Sequence, residues 1–395
     1  MPHIGNRQYF LQHLAQTSDA PLLLEIERAE GHYLYDSAGK KYLDLISGVS
    51  VSSLGHRHPK VIEAIYTQLD KYMHLMVYGE VVQSPQVQLA QALGSVLPSQ
   101  LDNFYFVNSG SEAIEGAMKL ARRYTGRSAF VAQINAYHGG TQGALSLMSN
   151  EYYSGPYRPL LSYIHFICAG NIDALQNLAV HPAAVVLELI QAERGSIVLS
   201  KEYVHAVREF CNRTGALMIV DEIQTGMGRT GTMFAFEQFG IVPDVLVLGK
   251  ALGGGMPMGA FIASKDVMQC LSENPVLGHI TTFGGNPVCC AAASAAIITT
   301  SGKLRDFKVE EKEKLFREYL VHPKIKRITG KGLLLAAHLD SEKTCKDLIR
   351  RAMHEGVFTD WFLYAPDALR IAPPLSITNE EIQHTCCVLI HLLND

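Results

Sequence analysis

Two apolar runs in this chain end on residues that can do chemistry. Leu217-Met-Ile-Val-Asp221-Glu222-Ile-Gln224-Thr-Gly226 closes a β-branched stretch with an acidic pair. Pro243-Asp-Val-Leu-Val-Leu-Gly249-Lys250-Ala-Leu-Gly-Gly-Gly255 closes another with a lysine and then three glycines. Ligands of open α/β sheets bind beyond the carboxyl ends of strands, which is where both residues fall. An amine in a crevice of low polarity is disfavoured as ammonium, so Lys250 is available as a nucleophile toward a carbonyl. Glycines after it let backbone approach a bound ring closely. Taken singly, each segment also reads as a capped strand or a surface lysine; the pairing is what favours chemistry.

Three further segments follow apolar runs. In Asn108-Ser109-Gly110-Ser111-Glu112, Ser109 and Glu112 have capping-box spacing, and the helix they open offers free amides and two hydroxyls to an anion such as phosphate. Asn135-Ala-Tyr137-His138-Gly139-Gly140-Thr141 offers an aromatic ring that could stack on a planar group. His279-Ile-Thr281-Thr282-Phe283-Gly284-Gly285-Asn286 is a polar, glycine-rich loop able to supply another phosphate donor. Gly226-x-Gly228-x-x-Gly231 has the letters of a dinucleotide fingerprint but no βαβ context, and Gly249-Lys250 lacks the rest of a P-loop. No metal is expected, because the histidines form no ligand-spaced cluster.

These residues need a scaffold. The runs Phe104–Val107, Phe130–Ile134, Ile164–Cys168, Ala184–Ile190, Leu217–Val220 and Val245–Leu248 lack clean alternation, as strands buried on both faces do. Helical patterns separate them, one with Ala113, Ala117, Leu120, Ala121 and Tyr124 on a single face, another with Tyr203, Val204, Val207 and Phe210 inward. The fold class is therefore α/β with a mainly parallel sheet. That sheet domain is expected over 50–292, with 1–49 and 293–395 packing together as a smaller domain. A hairpin turning at Ser37–Lys40 and short strands at Gly332–Leu335 and Leu369–Ile371 are expected in the two ends.

The chain has 395 residues, 48% hydrophobic, and 34 basic against 38 acidic side chains. This balance gives no reason to expect nucleic-acid binding. No apolar run nears the roughly 20 residues of a membrane span, and the first residues lack the apolar core of a signal peptide. Eight cysteines without a C-x-x-C pair read as small core residues of a reducing compartment, so a cytoplasmic location is expected.

Together the segments resemble the class III pyridoxal-phosphate (PLP) aminotransferases, the family of ornithine, acetylornithine and 4-aminobutyrate aminotransferases. The likeness runs from Leu54-Gly-His-x-His-Pro59 to Arg370-Ile-Ala-Pro-Pro374. Its centre is V-D-E-I-Q-T-G-x-G-R-T-G followed by G-K-A-L-G-G-G. The resemblance implies PLP-dependent transferase fold type I, with a seven-stranded sheet and a small α+β domain built from both chain ends. It implies ping-pong transamination from an amino acid or ω-amino acid to a 2-oxo acid, with Lys250 as Schiff-base lysine and proton carrier and Asp221 on the pyridine nitrogen. Gln224 would meet the ring hydroxyl, Tyr137 would stack on the ring beside His138, and Ser109, Gly110 and Ser111 would take the phosphate. Thr282 would reach the phosphate of a neighbouring subunit, which requires a homodimer or a dimer of dimers. Glu188 and Glu193 match the family's E-P-I-Q-G-E-x-G, and the second glutamate would pair with Arg370, the grip for a substrate carboxylate. A racemase, decarboxylase or aminomutase of the same fold is the alternative.

Two positions depart from the family pattern. Gly140 stands where an arginine usually completes H-G-R-T and helps hold a substrate carboxylate, so the amino-group pair is left open. Leu189 replaces a proline, which is expected to be neutral.

Overall fold

The computed structural model describes residues 5–76 and 79–394. Seven strands form the main sheet: β1 (Asn103–Val107), β2 (Phe130–Gln133), β3 (Ile164–Ile167), β4 (Ala184–Leu187), β5 (Leu217–Asp221), β6 (Val245–Leu248) and β7 (Gly259–Ala263). Their order is β1-β7-β6-β5-β4-β2-β3. Every pairing is parallel except those of β7, which runs antiparallel to both β6 and β1. The fold class is thus the α/β class expected. Every residue of β4, β5, β6 and β7 is buried, which explains why their sequences are apolar throughout rather than alternating.

Strand β7 was not foreseen. Gly-Ala-Phe-Ile-Ala is short and follows a turn-rich stretch, and its antiparallel direction breaks the strand–helix rhythm. The run Ala184–Ile190 is not one strand. The sheet strand stops at Leu187, and Ile190–Gln191 pairs instead with Ile197–Val198 in a separate ribbon. That break lets Glu188 leave the sheet at its carboxyl end. Helix Gly110–Thr125 buries Ala113, Ala117, Leu120 and Ala121, but Tyr124 faces solvent at 49% exposure.

The two chain ends meet. The hairpin Tyr33–Asp36/Lys41–Asp44 extends through a parallel pairing with Val357–Phe358. Leu43 and Leu45 share a buried cluster with Phe316, Leu348, Ile349 and Leu389. A second sheet orders Ile325–Lys331, Leu334–Leu339, Ala365–Ile371 and Trp361–Phe362. The strand expected at Gly332–Leu335 starts two residues later and runs to Leu339, with Gly332 in the turn before it. The expected Leu369–Ile371 is the end of a seven-residue strand that carries Arg370.

Fully buried Arg229, in the loop after β5, ties these parts together. Its guanidinium donates to the carbonyls of Leu333 and Pro373 and to Ser53 Oγ. Burial pulls its pKa down to about 9 despite the nearby charge of Asp44. The end of the Arg370 strand is thereby fixed to the loop that also follows Asp221.

All eight cysteines are unpaired. Cys168 and Cys387 are exposed rather than in the core, where a cysteine in a short apolar run was expected. No helix among the described residues is long and apolar enough to cross a membrane.

Candidate active site

The carboxyl ends of β1, β2, β4, β5 and β6 converge on a cavity of about 190 Å³. Its lining includes Gly110, Ser111, Tyr137, His138, Glu188, Asp221, Gln224 and Lys250. Eight of the residues read from sequence as chemically capable therefore share one cavity. Larger clefts lie elsewhere on the surface and hold no such set.

Lys250 follows β6 after a single glycine, Gly249, and its φ of +47° puts a side chain in the left-handed region. That conformation costs about 1 kcal/mol or more, and it turns the lysine off the strand line toward the cavity. Among the described residues its amine has no hydrogen-bond or ion-pair partner. Burial lowers its pKa to about 8; Glu193, Asp221 and Glu188 pull the other way and Arg370 adds to the lowering. An amine so held is partly neutral near physiological pH and can act as nucleophile or base.

Asp221 ends β5 with 4% of its surface exposed. One oxygen accepts from the Ile223 amide at 3.0 Å, and the other lies 2.7 Å from His138 Nδ1. Burial opposes charge on His138, but the hydrogen bond to Asp221 and the charges of Asp221 and Glu188 outweigh it and raise its pKa. The buried His138 Nε2 has no hydrogen-bond partner among the described residues. Glu188 accepts the amides of Tyr137 (3.0 Å) and Ala192 (3.2 Å), so it fixes the loop carrying the aromatic. Burial raises its pKa to about 7, a shift that His138 and these amides only partly offset. Burial likewise raises the Tyr137 phenol, with Glu193 and Asp221 adding to the effect.

The segment read as a phosphate site does open a helix, with one difference from the capping box expected. Ser109 caps helix Gly110–Thr125 by accepting the Glu112 amide at 3.2 Å, worth about 1 kcal/mol. Glu112 reaches back to the amide and side chain of Asn108 rather than to Ser109. The first amides of the helix have no intrahelical acceptors by construction, and they open on the cavity. Ser111 Oγ meets Thr141 Oγ1 at 2.7 Å and accepts the Thr141 amide, joining the two loops. Only glycine fits at Gly139, where φ is +129° and an added Cβ would lie 2.3 Å from Ser111 Oγ.

A second cluster lies next to the cavity. Arg370, 3% exposed, pairs with Glu193 at 3.1 Å and donates to Asp360 at 2.7 Å. Gln224 Nε2 also donates to Glu193, at 3.2 Å, while the buried Gln224 Oε1 has no partner. Burial pushes the Glu193 carboxyl up, but Arg370, Lys250 and the Leu363 amide outweigh it and hold it below the usual range. Burial opposes charge on Arg370 as well, and its two carboxylates more than restore it.

Three residues of this neighbourhood were not flagged in sequence. Ile223 lines the cavity and nearly touches Gly110, where an added Cβ would lie 2.6 Å from its Cδ1. Its place two residues after Asp221 was the available signal. Asp360 and Tyr364 come from a hairpin whose strand Trp361–Phe362 is too short to show a pattern. The Tyr364 hydroxyl is buried without a partner, and burial raises its pKa strongly, with Glu188 and Glu193 adding to the rise. Thr282 stands apart: it is exposed and does not line this chain's cavity.

The residues fit a planar, anionic, carbonyl-bearing group. Gln224 Oε1 is an idle buried acceptor, Asp221 offers an anionic edge, the helix terminus offers amides, and Lys250 offers a free amine. Among the described residues no cluster of ligands that could hold a metal occurs.

Comparison with known proteins agrees with this geometry. The family model for class-III aminotransferases matches residues 14–393. An acetylornithine aminotransferase of Methanosarcina acetivorans is 37% identical over 377 residues, covering 93% of this chain and 91% of its own. A putrescine aminotransferase of Pectobacterium atrosepticum is 39% identical over 376 residues, covering 90% of this chain and 79% of its own. The solved ornithine aminotransferase of Toxoplasma gondii, described with partial occupancy of PLP at its active site, superposes with a TM-score of 0.90 at 29% identity, covering 98% of this chain and 92% of its own.

Proposed function

The chain belongs to the class-III aminotransferases, with the type I fold and PLP as cofactor, and from that premise we propose a ping-pong transaminase that moves the amino group of a primary amine donor to a 2-oxo acid. Lys250, a partly neutral amine on a strained corner facing the buried Asp221–His138 pair, is the observation that carries this reading.

When bound, PLP supplies an electrophilic aldehyde and a ring that withdraws electrons from the substrate carbon bearing nitrogen. Lys250 would hold the aldehyde. Lys250 would also be the base that takes a proton from the substrate carbon bearing nitrogen and delivers it to the aldehyde carbon of the cofactor. Asp221 would hold a ring N–H, with His138 keeping the carboxylate oriented. Gln224 Oε1 would accept the ring hydroxyl, Tyr137 would cover one ring face, and Ile223 the other. Ser109, Gly110 and Ser111 would take the phosphate. Glu188 acts through Tyr137, whose amide it holds.

Arg370 would grip the carboxylate of the 2-oxo acid, and Glu193 would occupy it when the donor brings none. Relatives named for acetylornithine and putrescine support a donor with a terminal amine. Gly140, exposed and with open space around it, supplies no second clamp, so the site gives no reason to prefer 2-oxoglutarate over another 2-oxo acid.

Thr282 belongs, on this reading, to the neighbouring site of a homodimer. Supporting this, its sequence neighbours Ile280 and Phe283 are exposed, and the Phe283 ring meets that of His74, beside exposed Met73 (67%), at 4.9 Å. Exposed apolar side chains brought together in this way suit a subunit contact. The ends 1–49 and 293–395 form the small domain beside 50–292, in keeping with their shared cluster, and the enzyme works in the cytoplasm.

Adding a panel of amines to the holoenzyme without acceptor tests the reaction. Stoichiometric conversion of the cofactor spectrum, reversed by a 2-oxo acid, is expected. Loss of substrate-carbon hydrogen to solvent without conversion would instead indicate a racemase.

A further inference from the structure

Arg370 is held by two carboxylates of different standing. Glu193 comes from the segment after Ile190–Gln191, outside the Arg370 hairpin, and takes the Nη1 and Nη2 edge at 3.1–3.3 Å. Asp360 sits immediately before Trp361–Phe362, the strand paired with that of Arg370: its carbonyl accepts the Arg370 amide at 2.9 Å, and its Oδ1 accepts Nε at 2.7 Å. Thr359 Oγ1 donates to the Arg370 carbonyl at 2.7 Å, Nη2 also donates to the Trp361 carbonyl, and the guanidinium lies 4.2 Å from the Phe362 ring centroid. Every one of these contacts apart from Glu193 travels with the hairpin.

We propose that Asp360 is the stationary leg of a two-acid clasp, a positioning residue that fixes the plane of Arg370 through Nε so that Glu193 and the carboxylate of the 2-oxo acid can exchange at the opposite edge. The inference rests on the reading of Arg370 as a carboxylate grip. A bidentate contact needs the planar guanidinium held in one orientation, and an arginine tied only through Glu193 would lose that orientation whenever Glu193 left. Asp360 also keeps the buried guanidinium compensated during the exchange, when an unpaired charge would be costly. The negative charge of Asp360 weakens the hold on Glu193 and on an incoming carboxylate alike, so it cancels in the exchange and its orienting effect remains. Glu193 is held in turn by the Leu363 amide at 3.1 Å, so the hairpin carries both the fixed leg and the seat of the mobile one.

Glutarate, a carboxylate that cannot react, tests this in an E193Q background, where the exchanging edge is freed of its acid. Calorimetry on the holoenzyme should find that adding D360A weakens glutarate binding about tenfold, the size of a typical coupling between sites. Adding D360N removes the charge but keeps an acceptor at Nε, so glutarate should bind that variant at least about tenfold more tightly than the D360A variant. In the wild-type background, D360A should raise KM for the 2-oxo acid far more than it lowers kcat. Glutarate binding that is unchanged or tightened by D360A would show Asp360 to be only a competing charge and would overturn the inference. Failure of E193Q itself to bind glutarate would overturn the reading of Arg370, and this inference with it. Should D360A not fold, D360S in the same measurement must weaken binding for the proposal to stand.

Discussion

The two buried charge clusters of this enzyme are built in opposite ways. Around Lys250 and Asp221, groups are left idle: among the described residues the lysine amine, His138 Nε2 and Gln224 Oε1 have no hydrogen-bond partners, and Glu188 is pushed up to about 7. Around Arg370, nearly everything is satisfied, with Glu193, Asp360 and the Trp361 carbonyl sharing its donors. Buried polar groups ordinarily find partners, so an unsatisfied cluster marks a place completed by a ligand. A satisfied one must break contacts to work. The first cluster is prepared to bind and the second to exchange, and substitutions should separate the two.

The largest effect should come from removing the amine. Lys250→Ala should lower turnover at least about a thousandfold, since both nucleophile and proton carrier are lost, and initial-rate assays check it. Asp221→Asn keeps the shape but removes the anion that would hold the ring N–H; a loss on the order of a hundredfold is expected, with cofactor still bound by absorbance. If Asp221→Asn proved milder than changes in the Arg370 cluster, the contrast drawn above would fail.

Acidity sharpens the same comparison. Burial lowers Lys250 to about 8, so the rate of PLP capture by the apoenzyme should rise about tenfold between pH 7 and pH 9 and level off above. The folded chain binds this proton less readily than the unfolded chain, so the cost of burying the amine is full below about pH 8 and fades as pH climbs toward the ordinary lysine range. Apoenzyme Tm measured across this range should carry that upward contribution.

Glu193→Ala disturbs the satisfied cluster. Arg370 then keeps Asp360 as its one acidic partner among the described residues, and preference should shift about tenfold toward carboxylate-bearing substrates, read as the ratio of kcat/KM for the two half-reactions. The smallest effect is expected for Gly140→Arg. The site is exposed with space for a side chain, so Tm should move little, while KM for 2-oxoglutarate should fall severalfold.

The first cluster was the more legible in sequence. Asp221, Lys250 and Ser109–Ser111 each end a buried apolar run or open a helix, a local signal that also gave six of the seven strands. Strand β7 escaped because it is short, antiparallel and preceded by glycines. The break at Glu188 escaped because Leu-Glu-Leu-Ile is apolar on either side of a residue that turns away. Asp360 and Tyr364 reach Arg370 and Glu193 across a hairpin with a two-residue strand, and no local pattern reports such a meeting. Chemistry placed by strand ends can be read from local sequence, whereas chemistry placed by tertiary contact was read only where family resemblance supplied it, as for Glu193 and Arg370.

Borohydride reduction of the freshly purified yellow holoenzyme, followed by peptide mapping, tests the central claim most directly. A single phosphopyridoxyl label on Lys250 is predicted, lost in Lys250→Ala. A label on another lysine, or none on a protein that binds the cofactor and turns over, would contradict it.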